Sequence, residues 1–281
     1  MPDPDRLLNT LRQARAAILA TPGRAGRFVE LSGAEEVLVA GDMHGHLGNF
    51  RAVLALADLA HHPGRHLVLQ ELIHGPYEYP GGGDKSHQLV DLFAALKCQY
   101  PQRVHFLPGN HELAQWTGRP VSKAEVNLNA YFYDGVLYAY GLRAGEIYEA
   151  YKGLFAVLPL ALRTPNRVFV SHSVPSARHA GDFDLDRLRR DELDEEDLRP
   201  GGAVYGLLWG RDASEDNAAA FLRRVDADLL VTGHIPSEQG FHVPNSRQVI
   251  VDCADSPAAC CLFPADRPLT HEELKGCVRL L

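Results

Sequence analysis

Five short segments of the chain each end an apolar run on residue types that bind metal ions. Asp42 and His44 follow Val37, Leu38, Val39 and Ala40, while Gln70 and Glu71 follow Leu67, Val68 and Leu69. Asn110, His111 and Glu112 come after Val104, His105, Phe106 and Leu107. His172 follows Val168, Phe169 and Val170, and His234 follows Leu229, Leu230 and Val231. A run of Val, Leu and Phe before a Gly, Pro or Ser turn reads as a buried strand. Side chains at the ends of neighbouring strands converge on one edge of a sheet, where α/β folds hold their sites. Carboxylates, a neutral amide and several imidazoles gathered there point to a metal centre with oxygen and nitrogen donors.

Elements able to position these residues follow from pattern. Leu7, Leu8, Leu11 and Ile18 recur at helical spacing and predict a helix over residues 6–19. Residues 36–40 read as a strand, after which Asn49 is expected to cap a helix running to residue 60. A second strand covers residues 65–71, and Pro76, Pro80 and Gly81 to Gly83 make the next stretch a loop. Residues 86–97 are expected to be helical, 104–107 a strand, and 124–160 mostly helical with many aromatics. The last hundred residues or so read as alternating strands and loops with one helix near 217–225. Strand–helix alternation followed by a strand-rich half predicts an α/β fold with a second sheet packed on the first. Mixed charge over residues 182–197 reads as a solvated loop and helix.

Composition excludes several classes. The 281 residues carry a formal charge of −8, against the basic face that a nucleic-acid duplex requires. A small anionic substrate stays open, because bound metal reverses the local field. Five cysteines at irregular spacing fit neither a disulfide framework nor a zinc ribbon, and Cys260 and Cys261 are expected to lie buried in a strand. Neither a signal peptide nor an apolar run long enough to span a membrane is visible, so a soluble cytoplasmic protein is the expectation. No composition shift divides the chain, and one domain over residues 1–281 is expected.

Gly41–Asp42–Met43–His44–Gly45 resembles the first signature of the metallophosphoesterases, Gly-Asp-x-His-Gly. Gly109–Asn110–His111–Glu112 is similar to the Gly-Asn-His-Glu signature of their phosphoprotein phosphatase branch. Further stretches, Asn129 to Asp134, Leu158 to Ala161, Leu207 to Trp209 and Gly233 to Gly240, resemble that branch in order and rough spacing, so the likeness spans about residues 35–263. The chain looks like a divergent, bacterial-type member. The second signature, Gly-Asp-x-x-Asp-Arg-Gly, is altered. An ungapped reading puts Gln70 at the bridging Asp and His74 at the Arg. A reading with residues 72–80 as an insertion pairs Gln70–Glu71 with Gly-Asp and sets Gly81 to Gly83 in place of Asp-Arg-Gly. The second is preferred, because a ligand bridging two cations should be anionic. The family's late active-site Tyr is missing, with Ala258, Ala259 and Cys260 in its place.

The resemblance implies two facing mixed β-sheets flanked by helices, and hydrolysis of a phosphomonoester by a metal-bound hydroxide. Two divalent cations about 3.5–4 Å apart would do this, with Mn first and Fe or Zn as alternatives. It assigns Asp42, His44 and Glu71 to one ion, and Glu71, Asn110, His172 and His234 to the other. His111 becomes the proton donor to the leaving oxygen. Such an imidazole calls for a carboxylate partner, for which Asp84 is the candidate. The alternative for Asp84 is a helix cap at Ser86. Arg211 is the candidate for phosphate oxygens, against a surface ion pair with Asp212 or Glu215. Glu112 is expected to orient its loop through backbone contacts. Phosphoserine or phosphothreonine protein is the implied substrate. A dinucleoside polyphosphate, with Tyr77 or Tyr79 stacked on a base, is the second reading. A non-catalytic binding protein that keeps the fold is the third.

Overall fold

Alternation along the strands sorts the core into layers. In the strand Glu36–Asp42, Val37 and Val39 belong to one buried cluster, while Leu38 and Ala40 belong to another. The computed structural model describes residues 3–123, 125–180 and 183–281. Ala124 and Asp182, the first residues of the expected helical and charged stretches, lie outside the described residues.

One sheet orders its five strands Val278–Leu280, Ala259–Pro264, Glu36–Asp42, Arg65–Gln70, Val104–Leu107. The last three run parallel, and the first two pair antiparallel. A second large sheet has seven strands, with Val168–Ser171, Leu229–Thr232 and Gln248–Val251 parallel to one another near its middle, and Ser122–Lys123 pairs with Val126–Asn127 in a separate two-stranded one. Val37, Val39, Val68, Val170, Val231 and Val249 fill the space between the sheets. On the outer face of the first sheet, Leu67 and Leu69 pack with residues of the helices Pro4–Leu19, His87–Gln99, Leu128–Tyr140 and Ala144–Phe155. Phe169 and Leu230 do the same on the second, against Ala203–Trp209 and Glu215–Arg224. Two mixed sheets thus face each other between layers of helix. Fully burying each such Val or Leu contributes about 1.5–3 kcal/mol.

Several expectations are corrected. The helix Leu47–Ala57 is capped by His46, whose Nδ1 accepts from the Asn49 amide at 3.0 Å, not by Asn49. The Asn49 side chain instead donates to the Cys253 and Asp255 carbonyls at 2.8 and 3.0 Å. The last hundred residues hold more than one helix: besides Glu215–Arg224, Ala203–Trp209 and His271–Lys275 are helical. Seven largely apolar residues between Gly202 and Gly210 give no period that separates helix from strand. In the charged segment, Leu185 and Leu188 are buried and Asp197 is a buried partner of Arg187 at 2.7 Å. Cys260 and Cys261 are free and buried in a strand. Among the described residues, no helix is long and apolar enough to cross a membrane.

Candidate metal centre

All five segments that carry the expected ligands end on the same edge of the two sheets. Asp42 closes its strand, and Glu71 follows the strand Arg65–Gln70 directly. Asn110 and His111 open the helix Asn110–Thr117, and His172 follows Val168–Ser171. His234 lies two residues beyond Leu229–Thr232. Turning a chain this sharply puts non-glycine residues in the left-handed region. The φ values are +40° at His44, +35° at Glu71, +62° at His74 and +67° at His234. Such conformations cost energy and persist where the surroundings fix them, as at functional sites.

The donors converge. Asp42, Glu71, His172 and His234 each offer an atom within 4.8 Å of the others, and all four are buried. His44, Glu71 and His111 form a second group of the same kind, so Glu71 is common to both. Glu71 Oε2 lies 3.5 Å from His44 Nε2 and 3.6 Å from His172 Nε2. Asn110 Oδ1 is 3.3 Å from His172 Nε2. His44 Nδ1 sits 2.9 Å from the Ile73 carbonyl oxygen, which only accepts, so Nδ1 carries the proton and Nε2 is left for a metal. The His234 amide donates to both Asp42 oxygens at 3.1 Å. Two glycines make the approach possible. A Cβ on Gly109 would stand 2.1 Å from Glu71 Oε1, and one on Gly233 would stand 2.4 Å from Asp42 Oδ1.

Glu112 fixes the surrounding loops. Oε1 accepts from the Leu72 and Ile73 amides at 2.9 and 3.1 Å, and Oε2 from the Gly109 amide at 2.8 Å. Electrostatically the cluster lacks positive charge. Burial pushes the Asp42 carboxyl up to about 6. Burial, with Asp42 and Glu112 close by, holds Glu71 well above the usual carboxylate range. Burial and the neighbouring His234 hold His172 well below the usual imidazole range, and burial followed by Arg211 brings His234 to about 4. Among the described residues, His172 Nδ1 and both polar atoms of the Gln70 side chain find no hydrogen-bond partner. Buried acids, neutral imidazoles and an orphaned nitrogen fit divalent cations, which need neutral imidazole and supply the missing charge.

Two assignments shift. At the position expected for Asp84, beside His111, the structure puts His74, with their Nδ1 atoms 2.6 Å apart. Asp84 accepts from the Ser86 amide and hydroxyl, each at 2.7 Å, just ahead of the helix His87–Gln99. Its part is therefore the helix-entry one, and burial raises it to about 6. Ser86 Oγ in turn accepts from the His74 amide at 3.0 Å. The supposed insertion thus begins after His74: Glu71-x-x-His74 keeps the Asp-x-x-Asp spacing of the second signature, the signal that identifies this residue. Gln115, whose Oε1 lies 2.9 Å from His74 Nε2, has no such signal. Arg211 is exposed, and its charge reaches His172 and His234. The ion pairs weighed for it are not formed: Asp212 accepts from Ala177 and Ser214, and Glu215 bonds Ser246 and Arg247. Tyr77 is exposed and edge-on to His46 at 5.4 Å, whereas Tyr79 is packed face to face on Tyr138 at 4.3 Å.

Comparison with known proteins agrees with this geometry. A family model described as calcineurin-like phosphoesterase matches residues 36–238. A curated relative from Encephalitozoon cuniculi, named probable serine/threonine-protein phosphatase, is 26% identical over 263 residues. That match takes in 88% of this chain and 51% of the relative, so the chain spans about half the relative's length. A protein serine/threonine phosphatase from Saccharomyces cerevisiae, described as similar to human phosphatase PP5, superposes with a TM-score of 0.70 at 16% identity, covering 100% of this chain and 89% of that one. A cold-active protein-tyrosine phosphatase from a Shewanella species gives 0.63 at 14% identity, with 92% and 83% covered. A proposed diadenosine tetraphosphatase gives 0.50 at 16% identity, with 91% and 97% covered. At these identities the structural likeness speaks for the fold.

Proposed function

The chain belongs to the calcineurin-like phosphoesterase family, and from that membership we propose that it is a phosphoester hydrolase working with two divalent cations. The observation that carries this reading is Glu71, shared between two groups of donors that also hold Asp42, His44, His172 and His234. Asp42, His44 and Glu71 would hold one ion, and Glu71, Asn110, His172 and His234 would hold the other. When bound, such ions supply Lewis-acid charge to the phosphoryl oxygens and make a coordinated water more acidic. A donor set of carboxylate, imidazole and amide suits Mn, Fe or Zn above Ca, and Mn is our choice. His44 is held in its Nδ1–H tautomer by Ile73, so its Nε2 meets the metal without rearrangement. Arg211 binds phosphate oxygens at the rim, where its guanidinium lies exposed. His111, at the start of the helix Asn110–Thr117, gives its proton to the leaving oxygen.

Phosphoserine or phosphothreonine in a protein is the substrate class we favour, in keeping with the name of the Encephalitozoon relative. The exposed ring of Tyr77 beside His46 is the feature that favours a dinucleoside polyphosphate instead. The test is metal analysis of the purified protein, then turnover of an aryl phosphate with added Mn. Two ions per chain and turnover support the hydrolase. Bound metal without turnover makes the protein a binding relative, and absence of metal uptake ends both. Competition of a phosphopeptide against diadenosine tetraphosphate then decides the substrate class.

A further inference from the structure

His74, Gln115 and Tyr148 form a hydrogen-bonded line that ends on His111. His74 Nδ1 meets His111 Nδ1 at 2.6 Å, and His74 Nε2 meets Gln115 Oε1 at 2.9 Å. Gln115 Nε2 donates to the Tyr148 hydroxyl at 2.7 Å and to the Asn129 carbonyl at 3.3 Å. The direction of each bond follows from the far end. The Asn129 carbonyl only accepts, so the Gln115 amide turns its nitrogen there and its oxygen toward His74. That oxygen also only accepts, so His74 Nε2 carries a proton. His74 is buried, and burial brings its ring down to about 4. A neutral imidazole has one N–H, which leaves Nδ1 of His74 as a lone pair. It accepts from His111 Nδ1–H, so the other nitrogen of His111 is turned to the centre, where His111 joins His44 and Glu71 within 4.8 Å.

We propose that His74, locked as its Nε2–H tautomer by Gln115, is the positioning residue that aims His111 at the leaving oxygen, where the second family signature has a carboxylate. The proposal rests on the hydrolase reading. In the reaction, water oxygen forms the new bond to phosphorus and the bond from phosphorus to the alcohol oxygen breaks. His111 acts as the imidazolium, with one proton on each ring nitrogen: the released electron pair takes the Nε2 proton, the Nδ1 proton stays in the bond to His74, and a proton of the attacking water later restores Nε2–H. An alkyl alcohol needs that proton, whereas a nitrophenolate leaves well without it.

Two measurements test the relay. In the Zn-loaded protein, nitrogen-15 NMR of the histidine rings is expected to show His74 protonated at Nε2 and bare at Nδ1, and His111 protonated at Nδ1. A proton on His74 Nδ1 overturns the proposal. In kinetics with Mn, His74→Leu is expected to keep the metal and to lose about a hundredfold in kcat on an alkyl phosphate, but under about tenfold on nitrophenyl phosphate. His74→Asn, which offers an oxygen acceptor near the Nδ1 position, is expected to recover most of the alkyl activity. Equal loss on both substrates, or no loss, refutes the positioning role. Wild-type protein that hydrolyses neither ester sinks the hydrolase reading, and the ring spectra still decide the tautomers.

Discussion

Gln70 is fully buried one residue before Glu71, and neither atom of its amide finds a partner among the described residues. An unpaired buried polar group costs about 1–3 kcal/mol. Gln70→Met keeps the bulk and removes both groups. The metal-free variant is expected to melt higher than wild type by about 2–4 °C for each kcal/mol gained, with metal content unchanged. Loss of metal would make Gln70 a ligand and restore the ungapped reading of the second signature. Arg211 makes the complementary case at the rim. Removing a charge-assisted bond to phosphate costs about 1.5–3 kcal/mol. Arg211→Ala is therefore expected to raise KM about tenfold or more while metal content stays at the wild-type level, and Arg211→Lys to recover part of it. An unchanged KM would remove Arg211 from the site. The convergence of Asp42, His44, Asn110, His172 and His234 is legible in the sequence because an apolar run fixes where a strand ends, and the next polar residue falls at the sheet edge. His74 is not legible from chemistry alone, since the resemblance calls for a carboxylate beside His111. Asp84 met that criterion, but its oxygens bond the Ser86 amide and hydroxyl.

The helix Asn110–Thr117 is the element that brings His111, the proposed proton donor, to the donor cluster. Its cap, Gly109, is pressed against Glu71, and the His111 amide donates to Glu71 Oε1 at 2.9 Å. A Cβ at position 109 would stand 2.3 Å from the Glu71 carboxylate carbon as well as 2.1 Å from Oε1. Gly109→Ala must move either the helix or the carboxylate that both metal groups share. The expected result is loss of at least one bound ion and of activity, seen by metal analysis beside a far-UV spectrum that stays native. Retention of both ions would show that Glu71 is not shared between them. The first half of the chain alternates short apolar runs with segments of helical period, with Gly and Pro between them, so its elements can be read in outline. Ala203–Trp209 could not, because Val204, Leu207 and Leu208 are buried along a run too short to show a helical repeat. The cap of Leu47–Ala57 failed differently: Asn is the better cap by residue type, yet the Asn49 amide is engaged by Cys253 and Asp255 across the fold.

At the scale of the whole molecule, the proposed ligands come from both sheets. Asp42, Glu71 and Asn110 follow strands of one, and His172 and His234 follow strands of the other. Apolar packing between the sheets sets them face to face, but at this edge it gives way to buried acids. Burial lifts Asp42 to about 6, with Asp252 adding to the repulsion, and keeps Glu71 well above its usual range. Ions bound as proposed would act as a cross-link between the sheets and offset that repulsion. Binding to the native state alone stabilises by the logarithm of free ligand over Kd, so each tenfold rise in free metal adds about 1.4 kcal/mol per site once saturated. Stripping with a chelator is therefore expected to lower the melting temperature, and Mn titrated back is expected to raise it steadily with the logarithm of its concentration. Asp42→Asn and His234→Ala each remove a ligand contributed by one sheet, so both are expected to flatten that slope. A melting temperature that ignores chelation and Mn alike would mean that no ion joins the sheets, and that the acids at this edge serve some other purpose.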